Sequence, residues 1–116
     1  MIILKDLCYI RLGTQDLEGA ERFATEIVGL QAIRRSDDRL YLRSNYRDHS
    51  LCYFEGAPDD HMVGIELKDW AGLDEAMKAL EQAGYPCTRG TEEEALDRQV
   101  EDFCWFKDPT GNRIEL

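Results

Sequence analysis

With 24 acidic against 14 basic side chains in 116 residues, the chain carries a formal charge of −10, so its surface repels phosphate backbones and anionic membranes, and neither is an expected partner. One domain of this length buries a core without disulfides or a structural metal. Cys8, Cys52, Cys87 and Cys104 form no C-x-x-C pair, which excludes zinc-ribbon and thioredoxin chemistry on spacing and leaves small buried hydrophobes in a reducing compartment.

MIILKDLCYIRL meets Lys5 and Asp6 too early for a signal-peptide core, and no run approaches the roughly eighteen apolar residues of a membrane span. A soluble, cytoplasmic protein is expected. From Leu7 to Thr14, Cys8, Ile10, Leu12 and Thr14 alternate with Tyr9, Arg11 and Gly13, which predicts a strand. Asp16 offers an N-cap, and Leu17, Ala20, Phe23, Ala24, Ile27 and Val28 recur at helical spacing before Gly29. Strands are predicted near 31–35, 39–44 and 49–55, broken by the polar SDD at 36–38 and SNYRD at 44–48.

The same order then begins again. Met62 to Leu67 alternates, and Asp69 takes the place of Asp16, 53 residues further on. Leu73, Ala76, Met77, Leu80 and Ala83 predict a second amphipathic helix ending at Gly84, followed by strands near 85–89, 100–106 and 112–116. The chain thus reads as two tandem βαβββ modules, about 1–57 and 58–116, in one α+β domain. Neither module can cover both faces of its small sheet. The helices are therefore expected on the outside of a curved half-barrel sheet, with a pocket between the modules. The parity of Ile10, Leu12, Val63 and Ile65 packs under the helices, which turns Tyr9, Arg11, Gly13, Met62, Gly64 and Glu66 to the concave face.

Three strings, YIRLGTQDLEGAERFATEIVGL, VGIELKDWAGLDEAMKALEQAGY and FKDPTGNRIEL, together resemble the vicinal oxygen chelate superfamily of glyoxalases, bleomycin and fosfomycin resistance proteins and extradiol dioxygenases. In its catalytic members, the resemblance implies, a His on the first strand of each module and a Glu on the last strand hold a divalent metal and leave positions open for vicinal substrate oxygens. Counting seven residues back from Asp16 and from Asp69 puts Tyr9 and Met62 at the two His positions, and by resemblance of the last strand Glu115 matches the third. A phenol must lose a proton near a pKa of about 10 to ligate, and a thioether is a soft donor. Tyr9, Met62 and Glu115 are therefore expected to bind no metal, and no residue of this chain is expected to be catalytic; Arg11, Gly64 and Glu66 are candidate cavity-lining residues.

Other groups read as structural. His61 enters the cavity only if its strand slips by one residue, which turns Val63, Ile65 and Leu67 out of the core, and His49 opens a strand as a surface residue. Glu92, Glu93 and Glu94 look like a solvated loop face. Arg34, Arg35 and Arg39 fit either an anion site or a polar hairpin, and Trp70 and Trp105 fit either substrate stacking or packing. An internal ion pair of Arg11 with Glu115 would explain why a carboxylate persists without metal.

Within the superfamily the resemblance is nearest to the N-terminal domain of two-domain extradiol dioxygenases of the 2,3-dihydroxybiphenyl type. It implies a following homologous domain that carries Fe(II), a longer natural protein, a homo-oligomer, and a scaffold or assembly role for this chain in aromatic-compound degradation. The alternatives are a metal-free, dimeric bleomycin-resistance-like protein that sequesters a cationic drug, which the acidic charge suits, and a glyoxalase-like metalloenzyme.

Overall fold

The computed structural model describes residues 1–116 apart from the side chain of Trp70. The chain forms two compact units, Cys8–Met62 and Met1–Leu7 with Val63–Leu116. The architecture is α+β, with the strand–helix–strands order occurring twice, as the repeat predicts.

In the first unit, β1 (Leu4–Thr14, from Cys8 onward) leads into α1 (Leu17–Arg22), which continues as a π-helical segment, Phe23–Val28. Asp16 caps α1 as expected, its Oδ1 accepting from the Gly19 N–H at 2.9 Å. Gly29 ends the helix at φ 87°, a left-handed conformation that glycine adopts without a Cβ penalty. The strands β2 (Gln31–Arg35), β3 (Arg39–Arg43) and β4 (Leu51–Glu55) follow, and the order is β2-β3-β4-β1, antiparallel until β1 joins β4 in parallel.

Register decides which face becomes core. Ile10 lies opposite Leu51 and Leu12 opposite Tyr53, while Leu40 and Leu42 of β3 face the same two partners. Leu40 and Leu42 pack with Leu17, Ala24, Leu30, Leu51 and Tyr53, so this is the helix-covered side. Arg11 opposite Cys52, Gly13 opposite Phe54 and Tyr41 opposite Cys52 place the other parity together, with Tyr9, on the second face. That face is not an open wall: Tyr9, Arg11, Tyr41 and Cys52 are all buried.

In the second unit, β5 (His61–Leu67, from Val63 onward) is followed by a single 3₁₀ turn, Trp70–Gly72, and then α2 (Leu73–Gln82). Asp69 precedes the turn but makes no side-chain cap bond, so it does not do for α2 what Asp16 does for α1. The unit continues through β6 (Thr88–Arg89), α3 (Glu92–Arg98), β7 (Cys104–Lys107) and β8 (Arg113–Glu115), with strand order β5-β8-β7-β6.

The helix α3 corrects the sequence reading. Glu92, Glu93 and Glu94 do not sit in a loop; they form a first helical turn, where the positive end of the helix dipole favours carboxylates. Thr91 Oγ1 accepts from the Glu94 N–H at 3.1 Å, and Glu94 Oε1 accepts from the Thr91 N–H at 3.1 Å, a reciprocal capping box. The helix fills the gap between the strands expected near 85–89 and 100–106, and those strands are Thr88–Arg89 and Cys104–Lys107.

Gly13 is held where backbone passes close by. Its N–H donates to the Asp60 carbonyl at 2.8 Å, and a Cβ there would lie 2.1 Å from the Ala57 carbonyl oxygen. A Gly13→Ala substitution is therefore expected to destabilise the chain by about 1–3 kcal/mol, the usual cost of overpacking. Gly72→Ala, whose Cβ meets nothing within 4 Å, is expected to stay within about 0.5 kcal/mol of the parent in the same urea titration.

Candidate functional site

Glu115 is 0% exposed on β8, opposite Trp105 of β7. A buried carboxylate is tolerated only when its charge and lone pairs are met. Arg98, in the last turn of α3, meets both oxygens: its Nε donates to Oε2 at 2.6 Å and its Nη2 to Oε1 at 2.9 Å. Arg98 Nη1 donates to the Glu94 carbonyl at 3.1 Å and lies 3.9 Å from Asp97 Oδ2, while the guanidinium sits 4.5 Å above the Phe103 ring. Arg113 adds a second cation, its Nε donating to Oε1 at 3.1 Å and its Nη2 lying 3.0 Å from the same oxygen.

The two-point fork of Arg98 is the strong form of a charge-assisted hydrogen bond. Arg113 also lies over the Trp105 ring at 4.3 Å, so one face of that indole is covered by a guanidinium rather than presented for stacking. Trp70, the other stacking candidate, lies outside the described side chains. Within its own unit, then, Glu115 draws its partners from α3 and from β8 itself. Arg98 escaped the sequence reading because its helix did, although the T-x-x-E spacing of Thr91 and Glu94 is a visible helix-start signal.

The second buried polar group lies in the first unit and was also misplaced from sequence. His49 is not at the surface: its side chain is 1% exposed, packed 5.8 Å from the Tyr9 ring and edge-on to Tyr41 at 5.2 Å. Its Nδ1 is 2.8 Å from Asp48 Oδ2, and Asp48 accepts two bonds from Arg34 Nη1, at 2.7 and 2.9 Å. Hydrogen bonding from Arg34 holds the Asp48 carboxyl below the usual range and so keeps it an acceptor, which assigns the His49 proton to Nδ1. The buried Nε2 is left as an acceptor with no hydrogen-bond partner among the described residues. Burial pushes the His49 imidazole down, against the pull of Asp48, and the charges of Arg34 and Arg11 push the same way.

The remaining candidates divide. Arg34 lies 4.3 Å over the Tyr41 ring and bonds Asp48, while Arg35 is on the opposite strand parity, bonded to Glu21 at 3.3 Å and to the Ser36 carbonyl, so the three hairpin arginines do not converge on one anion site. Arg39 shares its face with Arg11, whose guanidinium is 5.9 Å from the Phe54 ring. Met62 is half-buried on β5, Gly64 is buried, and Glu66 pairs with Lys5 at 3.0 Å. His61 opens β5 exposed. Cys52 and Cys104 are buried, and burial pushes the Cys104 thiol up to about 12, far from a reactive thiolate. Among the described residues, no three His, Cys, Asp or Glu are grouped to hold a metal ion.

The chain belongs to the Glyoxalase/Bleomycin resistance protein/Dioxygenase superfamily, which it matches over residues 7–116. Its relatives are extradiol dioxygenases: it is 32% identical over 114 residues to an iron-dependent extradiol dioxygenase of Rhodococcus jostii (strain RHA1), covering 97% of this chain and 38% of that protein. It is 30% identical over 114 residues to a biphenyl-2,3-diol 1,2-dioxygenase of Pseudomonas sp. (strain KKS102), covering 97% of this chain and 39% of that one. A crystal structure of catechol 2,3-dioxygenase superposes with a TM-score of 0.88 at 29% identity, over 99% of this chain and 39% of the other. The chain thus spans about two fifths of the length of the relatives it matches. No helix among the described residues is long and apolar enough to cross a membrane.

The neutral His49 makes stability depend on pH. Its folded pKa lies below the ordinary 6.5, so the unfolded chain binds the proton more readily. Its contribution is full above the unfolded value and is lost as pH falls from there towards the folded value, at up to about 1.4 kcal/mol per pH unit. Urea midpoints taken at stepped pH through this window are expected to fall for the parent and to fall distinctly less for His49→Phe.

Proposed function

We propose that this chain is a non-catalytic module pair of an extradiol catechol dioxygenase of aromatic-compound degradation, serving as scaffold or assembly surface in the cytoplasm. The ring-cleaving Fe(II) is held by a homologous domain of the same protein, in a homo-oligomer. The observation that carries this reading is the state of Glu115. The carboxylate at the third ligand position is taken up at both oxygens by Arg98, with Arg113 on one of them. The other two ligand positions hold a phenol, buried against His49, and a thioether. Fe(II) asks for neutral imidazoles and an available carboxylate on one side of the ion. Tyr9, Met62 and a doubly paired Glu115 do not fit it, and no reaction step is assigned to this chain.

The charge pattern speaks against the cationic-drug alternative. The face of the first unit opposite its helix carries Arg11, Arg34 and Arg39 on its strands, with Asp48 taken up by Arg34, whereas a groove for a cation would need carboxylates in excess there. Purified from iron-replete cells, the chain is expected to contain far less than one equivalent of iron and to leave catechol and 2,3-dihydroxybiphenyl uncleaved. A tightly held stoichiometric metal ion, or ring cleavage by the chain alone, would overturn the proposal.

A further inference from the structure

The buried pair of α3 and β8 has more structure than a salt bridge that merely joins two elements. Arg98 presents its Nε and Nη2 to the two oxygens of one carboxylate at 2.6 and 2.9 Å, so it meets Glu115 as a bidentate cation does. Its remaining nitrogen, Nη1, is turned to the Glu94 carbonyl, and the plane of the group lies against Phe103. The two side chains are 5% and 0% exposed, which leaves water unable to replace either partner. Arg113 adds a second guanidinium on Oε1, while Asp97 Oδ2 lies 3.9 Å from Arg98 Nη1.

We propose that Glu115 is a cation seat whose occupant is supplied by the chain itself: Arg98 holds the place of a cation on this carboxylate and keeps divalent metal off it. The proposal deepens the reading of the chain as a domain without metal, and it names the residue that enforces that state. A divalent ion would have to displace the fork, break the Nη1 bond to Glu94 that ties Arg98 to its own helix, and leave a guanidinium buried without its anion, a strongly unfavourable exchange. A simple structural tie predicts that Arg98→Ala is destabilised. A cation seat predicts in addition that the vacated carboxylate accepts a cation from solution.

The test is chemical rescue, read as thermal melting at matched ionic strength. The parent is expected to be unmoved by millimolar Mn(II) or methylguanidinium. Arg98→Ala should melt lower and regain several degrees with either cation. Arg98→Ala combined with Glu115→Gln, which removes the seat's charge, should not respond. Arg98→Gln, which keeps a long stem on α3, takes the place of Arg98→Ala under the same criteria if the latter fails to fold. Stabilisation of the parent by Mn(II), rescue that persists with Glu115→Gln, or the absence of rescue by both cations would each overturn the seat. Iron content and ring cleavage by the parent decide the functional reading separately, so the two fail independently.

Discussion

A carboxylate with no exposed surface is the constraint around which the second unit is arranged. Removing Glu115 from water costs several kcal/mol in effective terms, and only close, well-oriented cations return it. One of those cations must come from outside β8, because a three-residue strand offers only Arg113 on the same face. Arg98 answers this from the end of α3, and so the helix must end where its last turn reaches Oε1 and Oε2. The Thr91–Glu94 capping box at one end and the left-handed Gln99 (φ 56°) at the other fix that length. Local sequence at residues 91–99 therefore serves a pairing with residue 115.

The first unit meets the same physical problem in a different way. His49 is buried as a neutral ring, its Nδ1 proton anchored on Asp48 and Asp48 anchored on Arg34. A neutral imidazole costs far less to bury than a carboxylate, so no second cation is needed and the ring packs beside Tyr9 and Tyr41 as an aromatic would. The chain's acidity is compatible with both arrangements. Arg11 and Arg98 are buried and Arg113 is half-buried, while Glu92, Glu93, Asp37, Asp38 and Asp59 stand in solvent.

Much of the fold was legible because period and punctuation agree. Alternation from Cys8 to Thr14 and from Met62 to Leu67, with Asp16 and Gly29 bounding the first helix, marks the repeat, and strand parity marks the helix-covered face. The surroundings of the buried polar groups were less legible. Tyr9 and Met62 were singled out by counting along the repeat and Glu115 by the resemblance of the last strand, but the partners of Glu115 depend on contacts distant in sequence. Arg98 is 17 residues from Glu115 and sits on a seven-residue helix, too short for hydrophobic periodicity to announce. His49 looked exposed because its neighbours Arg47 and Asp48 are polar. Nothing local shows that Arg34, fourteen residues earlier, reaches Asp48 and lets the imidazole turn inward.

A carboxylate and a guanidinium are not interchangeable with a carboxylate and a metal ion, and the difference bears on what such a domain can become. A metal site keeps open positions, and those positions are where substrate oxygens are bound and activated. A guanidinium has no open position: its N–H groups are donors in fixed directions, it accepts nothing, and it stays protonated throughout the physiological range. Once Arg98 forks onto Glu115, both oxygens of the carboxylate are engaged in a pairing that joins α3 to β8. The retained Glu therefore need not signal a retained reaction. The informative residue beside a buried carboxylate is the cation that faces it, and in this chain that cation is covalently part of the fold.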